Sequence, residues 1–333
     1  MTQPDAPNPT PRLTLLALGG TIASLGAGAG DTTIYALDPG RNPVLDVLAG
    51  LNVGATVSFE RLAHLSSHDI PLATVLDLAR RIAALFASGA ADGVVVTQGT
   101  DTLEETAFLL DLLLPPGPPV VVTGAMRPAS AAGADGPRNL YAALRVAADP
   151  AALGRGVLVC LNDRIGAAAT TGKTHTSATD AFQAPEAGFA GVVFGDSVRF
   201  FAPAAPSPGP RFDAGDSDVL PRVDIVTSCL GMDAVPFCAA LDAGAAGIVI
   251  AGTGNGSVAE VMKPALARAR GQGVSVVRAS HVAAGPVMPI AIDAAFGTIP
   301  SGMLNPRKAR LLLMLALSRT RDAEAIAAMF RRY

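Results

Sequence analysis

A threonine stands directly behind two glycines in LALGGTIAS, residues 16–24. An apolar run ends at Gly19 and Gly20, Thr21 follows, and apolar residues resume at Ile22. Either the glycines only supply a turn with positive φ, or the turn holds the Thr21 hydroxyl out as a nucleophile. A second polar group lies in TQGTDTLEETA, residues 97–107. Thr102, followed three residues later by Glu105, reads as a capping box that opens a helix. Asp101 then sits beside the positive end of the helix dipole, where a carboxylate stays ionised and can receive a ligand ammonium; the plain alternative is a helix cap. A third group is TTGKTHT, residues 170–176, with Lys173 among hydroxyls and glycine. A surface lysine is the ordinary reading, and a proton relay beside a hydroxyl and a carboxylate is the other.

Other chemistries fit poorly. The histidines His64, His68, His175 and His281 show no ligand spacing, and VSFERLAHLSSHD (57–69) reads as strand then loop, so no metal is expected. A G-x-S-x-G elbow is absent, which argues against a serine hydrolase. No G-x-G-x-x-G fingerprint follows the first strand, and GTGNG (252–256) lacks the lysine of a phosphate loop. Cys160, Cys229 and Cys238 are odd in number and sparse, which suits a reducing compartment and no disulfide framework.

The elements that must carry these residues are short β-branched or leucine-rich runs, each followed by a helical stretch. GVVVTQGT (93–100), PVVVTGAM (119–126), GVLVCLND (156–163), VDIVTS (223–228), GIVIAGTGNG (247–256) and VSVVRAS (274–280) follow this plan. Apolar runs without alternation suit parallel strands covered on both faces, hence an α/β fold. Polar residues gather at the strand ends, among them Thr21, Thr97, Thr100, Asp101, Thr123, Asn162, Thr253 and Asn255. In parallel sheets, ligands bind beyond those ends. If the early strands are neighbours, Thr21, Thr100, Asp101 and Ala125 converge on one cleft. Residues 163–180 show little regular structure.

With 333 residues, two domains are expected: 1–205 and 222–333, joined by a proline-rich linker at 206–221. Half of the residues are hydrophobic and 16% charged, and the net charge is −3 without a basic block. That composition predicts a globular protein that does not bind nucleic acid or a membrane. The leader MTQPDAPNPTPR carries four prolines and an aspartate, unlike a signal peptide, so a cytoplasmic protein is expected. Glycine and proline interrupt every long uncharged window, so no membrane span is expected.

Taken in order, LALGGTIAS, TQGTDTLEETAFLLDLLL, VVVTGAMRPASAAGADGPRNLYAAL, GVLVCLND, TGKTHT, GIVIAGTGNGS and LNPRKARLLLMLAL resemble the bacterial L-asparaginase family, from about Leu13 to Tyr333. The resemblance implies two α/β domains, the larger N-terminal, and hydrolysis of L-asparagine without metal or organic cofactor. It implies that Thr21, preceded by Gly20, is the nucleophile and that Tyr35 activates it. It implies a second catalytic group of Thr100, Asp101 and Lys173. Ser67 would receive the substrate carboxylate and Asp101 the ammonium, and Ala125 with Thr100 would stabilise the oxyanion. Gly20, Asn255 and His68 complete the expected substrate contacts, in a homotetramer built as a dimer of dimers.

Three departures bear on the substrate pocket. Gln98 stands where the family usually carries histidine, and His68 where glutamine is common. Residues 281–295 hold no glutamate, and Asp293 is their one carboxylate. The sequence therefore predicts an asparaginase with low glutaminase activity. A different small amide, or weakly catalytic amino-acid binding on the same scaffold, remain as alternatives.

Overall fold

The computed structural model describes residues 10–37, 43–205, 211–213 and 219–333. The leader before residue 10 and most of the expected linker lie outside the described residues. The chain forms two compact units. One takes residues up to 107, 116–183 and 189–206; the other takes 108–115, 184–188 and the chain from 207 onward.

The first unit begins with strand β1 (Arg12–Gly19), then a short hairpin of β2 (Ser24–Gly26) and β3 (Tyr35–Leu37). Helix α1 (Pro43–Ala49), β4 (Thr56–Leu65), α2 (Leu72–Ala87), β5 (Gly93–Thr97), α3 (Leu103–Leu113, counted with the second unit from residue 108), β6 (Val120–Thr123), α4 (Gly136–Ala148) and β7 (Val157–Leu161) follow. Strands β4, β1, β5, β6 and β7 lie side by side in that order, all parallel. Strands β5, β6 and β7 are buried at every residue, as their unbroken apolar runs predict. In α2 the buried residues Val75, Leu78, Ala79, Ile82 and Leu85 recur at helical spacing. On the other face, Leu140, Ala143, Leu144 and Ala147 of α4 join the core with Leu13, Leu15, Val95, Val121 and Leu158.

The parallel-sheet expectation needs one extension. Beyond β7 the sheet continues antiparallel through β8 (Arg164–Ala167), β11 (Gly191–Phe194) and β12 (Ser197–Phe200), so the eight-stranded sheet is mixed. Asn162 and Asp163, with φ of 50° and 59°, make the two-residue turn that reverses the chain after β7. Asn162 is thus a hairpin residue. Between β8 and β11, β9 (Gly172–Lys173) pairs antiparallel with β10 (Phe182–Gln183), which gives the expected loop a local framework.

The second unit carries a four-stranded parallel sheet. Its strands β13 (Val223–Thr227), β14 (Gly247–Gly252), β15 (Ser275–Ser280) and β16 (Ile299–Pro300) lie in sequence order. Helices α5 (Val235–Asp242), α6 (Lys263–Gly271), α7 (Ala291–Phe296), α8 (Pro306–Arg319) and α9 (Ala323–Phe330) accompany them. Phe237, Ile248, Ile250, Met262 and Leu266 fill one side of its core. Among the described residues, no helix is long and apolar enough to cross a membrane.

Candidate active site

The turn after β1 is shaped by contact with the turn after β5. Gly19 and Gly20 have φ of 106° and 84°, and a Cβ at Gly20 would lie 2.1 Å from the Gly99 nitrogen. Only glycine permits that approach, which brings the two strand ends together. Thr21 opens a single 3-10 turn, Thr21–Ala23, and is buried. The turn is closed by the Ala23 amide and the Ser24 hydroxyl, both donating to the Gly20 carbonyl at 2.9 Å. Tyr35 opens β3 opposite Gly26, and its hydroxyl lies 3.1 Å from Thr21 Oγ1. The hairpin is tied down by the Gly26 amide donating to Ser130 Oγ at 2.7 Å and the Ala129 amide donating to the Ser24 carbonyl at 3.0 Å.

The turn after β5 carries the second group. Lys173 Nζ donates to Thr100 Oγ1 at 2.9 Å and to Asp101 Oδ1 at 2.7 Å. The lysine side chain is 15% exposed, whereas that of Asp101 is 60% exposed and open to a ligand. Buried Ser67 follows β4 and accepts the Asp101 amide at 3.2 Å. His68 is exposed, with Nδ1 3.8 Å from Asp101 Oδ2 and Nε2 3.5 Å from Asp69 Oδ2. Buried Ala125 follows the β6 end, next to Gly124, where a Cβ would lie 3.3 Å from Thr100 Cγ2.

Thr102, read from sequence as a helix cap, stands directly before α3, and its carbonyl accepts the Glu105 and Thr106 amides at 3.1 and 3.0 Å. Its hydroxyl donates to the Ser67 carbonyl at 2.8 Å and accepts Gln98 Nε2 at 2.9 Å. Asp135 and Asn139, which sequence reasoning passed over, hold the Ala125 loop. Asp135 accepts the Met126 and Arg127 amides, each at 2.9 Å, and Asn139 Nδ2 donates to the Gly124 carbonyl at 3.0 Å. Their only signal was the polar spacing in GADGPRN, at the start of α4.

The first unit therefore gathers Gly20, Thr21, Tyr35, Ser67, His68, Thr100, Asp101, Ala125 and Lys173. Asn255 belongs to the second unit, where its Oδ1 accepts the Met288 amide at 2.6 Å and its Nδ2 donates to the Met288 carbonyl at 3.3 Å. Asp293 pairs with fully buried Arg278 at 2.6 Å. Burial pushes the Cys160 thiol up to about 12, with nearby Asp163 adding to the shift, so this cysteine is inert. Among the described residues, no cluster of three or more histidine, cysteine or carboxylate side chains is arranged to hold a metal.

A mixed sheet flanked by helices, with hydroxyls and a carboxylate at its parallel strand ends and a lysine reaching them from β9, is the architecture of an α/β enzyme. Residues 12–206 match the family "Asparaginase, N-terminal", and residues 222–330 match "Glutaminase/Asparaginase C-terminal domain". The chain is 41% identical to L-asparaginase 2 of Bacillus subtilis (strain 168), over 97% of this chain and 87% of that one. It is 39% identical to glutaminase-asparaginase of Pseudomonas fluorescens biotype A, over 96% of this chain and 90% of that one. It superimposes on the probable cytoplasmic L-asparaginase of Campylobacter jejuni with a TM-score of 0.89 at 38% identity, covering 97% of this chain and 100% of that one. The chain belongs to the L-asparaginase family in its bacterial form and is an enzyme of that family.

Proposed function

We propose that this enzyme hydrolyses L-asparagine to L-aspartate and ammonia through an acyl-enzyme on Thr21. The observation that carries the reading is the pairing of Thr21 Oγ1 with Tyr35 Oη at 3.1 Å, beside a lysine bonded to Thr100 and Asp101. A threonine hydroxyl is a weak nucleophile, and a neighbouring proton acceptor is what activates it. Thr21 Oγ1 bonds to the side-chain amide carbon, and its proton passes to the Tyr35 or Lys173–Thr100 system and on to the leaving nitrogen. The C–N bond breaks and ammonia leaves. Water then attacks the ester, which releases aspartate and restores the Thr21 hydroxyl.

The remaining assignments follow from placement and family resemblance. Ser67 receives the α-carboxylate, and Asp101, with its exposed oxygens, receives the α-ammonium. The Ala125 backbone and Thr100 face the developing oxyanion, where donors aimed in advance at negative charge lower the barrier. Gly20 and His68 line the same cleft. Glutamine is a poor substrate, the enzyme works in the cytoplasm, and it assembles as a homotetramer, a dimer of dimers, divided into domains 1–205 and 222–333.

Ammonia release from a panel of amides, measured on wild type and Thr21→Ala, tests the reading. Asparagine turnover that falls by several orders of magnitude in the folded variant supports it. Activity within about tenfold of wild type removes Thr21 as nucleophile, and a wild type that ignores asparagine but cleaves another amide selects the different-substrate reading.

A further inference from the structure

We infer that Glu104 is a positioning residue that sets Lys173 against Thr100 and Asp101. Glu104 is the second residue of α3 and is wholly buried, and its Oε2 accepts the Lys173 amide at 3.0 Å. A buried carboxylate is costly unless it is hydrogen-bonded. The first turn of a helix eases that cost, and the bond to Lys173 uses the group.

The local ladder leaves a place for this bond. The Thr174 amide donates to the Ala181 carbonyl at 2.7 Å. Bonded and non-bonded pairs alternate along an antiparallel ladder. The adjacent pair, Lys173 opposite Phe182, is therefore non-hydrogen-bonded, and the Lys173 amide faces away from β10. Glu104 takes that amide. A two-residue strand holds a side chain poorly by itself, since β9 spans only Gly172–Lys173.

The segment 100–104 thus grips Lys173 twice. Glu104 holds its main chain, while Thr100 and Asp101 receive its Nζ. Both contacts come from one turn and the helix it opens, so the ammonium is fixed relative to the groups it serves. Displacing a catalytic group by about 1 Å can cost about 100-fold in rate.

The inference rests on the proton-relay reading of Lys173, and the experiment separates the two. kcat and KM for asparagine, with melting temperature, are measured for Glu104→Gln, Glu104→Ala, Glu104→Asp, Lys173→Met and the Glu104→Ala/Lys173→Met double variant. The glutamine oxygen still accepts the amide, so Glu104→Gln should keep kcat within about threefold. Glu104→Ala should lose about 100-fold in kcat with KM nearly unchanged, and should slow the Lys173→Met background little further. A merely structural role would lower the melting temperature and leave kcat of the folded protein intact, and that result overturns the inference. So does a Glu104→Gln variant as slow as Glu104→Ala. If Glu104→Ala does not fold, Glu104→Asp, whose acceptor is drawn back by one methylene, decides. It should be slower than Glu104→Gln, and the reverse order or equality overturns the inference. Full activity in Lys173→Met overturns the relay reading itself.

Discussion

Thr21 Oγ1 and Tyr35 Oη lie 3.1 Å apart, joined across fourteen positions of chain by the β2–β3 hairpin. The threonine is buried and the tyrosine is 37% exposed, so the pair connects the protected end of β1 with the open cleft. Tyr35→Phe keeps the ring and removes the one atom that meets Thr21. Proton transfer by a positioned side chain contributes about 10²–10⁴-fold. The variant should lose kcat on that scale while KM for asparagine changes little, as steady-state ammonia release would show. A kcat within about threefold of wild type takes Tyr35 out of the activation step.

Gly20→Ala places a methyl where the Gly99 nitrogen stands 2.1 Å away, at a φ of 84°. Positive φ for alanine costs about 1–3 kcal/mol, and overlap with backbone adds to it. Lower melting temperature and a large fall in kcat are expected together, because the strand ends that carry Thr21 and Thr100 must separate. Gly28→Ala is the control: its Cβ would meet nothing within 4 Å. A Gly20→Ala enzyme with wild-type kcat would show that this close approach is dispensable.

Asparagine should exceed glutamine by more than about tenfold in kcat/KM, since one extra methylene is worth about 1–3 kcal/mol of discrimination. His68 lies near Asp101, the proposed ammonium site, with Nδ1 3.8 Å from Asp101 Oδ2. An imidazole offers the ammonium no amide oxygen, whereas glutamine does, so His68→Gln should lower KM for asparagine. Equal turnover of both amides refutes the preference, and an unchanged KM in His68→Gln removes His68 from the pocket.

Asp293→Asn tests the second unit. Burial alone would raise the Asp293 carboxyl, but the Arg278 guanidinium, the Thr298 hydroxyl and the Ile290 amide outweigh it and hold the group below the usual carboxylate range. A depressed folded value means stability that is present above the unfolded value of about 3.9 and lost as pH falls through the folded one. Leaving fully buried Arg278 without its partner costs about 3–5 kcal/mol. The variant should melt well below wild type at pH 7, and the gap should begin to narrow as pH falls below about 4. A constant gap down to pH 2 would separate the ion pair from acid stability.

Much of the fold was legible because burial writes itself into residue type. GVVVT and VLVCL contain no alternation, and β5 and β7 are buried throughout. The glycines before Thr21 marked a turn with unusual angles, since few other residues adopt positive φ. The antiparallel extension was missed, although Asn162 and Asp163 in LNDR are suited to a two-residue hairpin. Short polar strands at a sheet edge, such as β12 with SVRF, lack the apolar run that betrays a central strand.

Local chemistry and family resemblance told which side chains were worth watching, and the tertiary structure decided what each one touches. Thr102 has the spacing of a helix cap, and only the packed structure shows that its hydroxyl also reaches the Ser67 carbonyl, thirty-five positions away in the chain. Lys173 looks like a loop lysine until Thr100 and Asp101, more than seventy positions earlier, come within 2.9 Å. Asp293 had no assignable partner before Arg278 appeared beside it. A hydrogen bond depends on a few tenths of an ångström and on angle. Periodicity fixes which face a residue occupies, but the distance between residues on different strands is set only when the whole sheet, its register and its turns are packed.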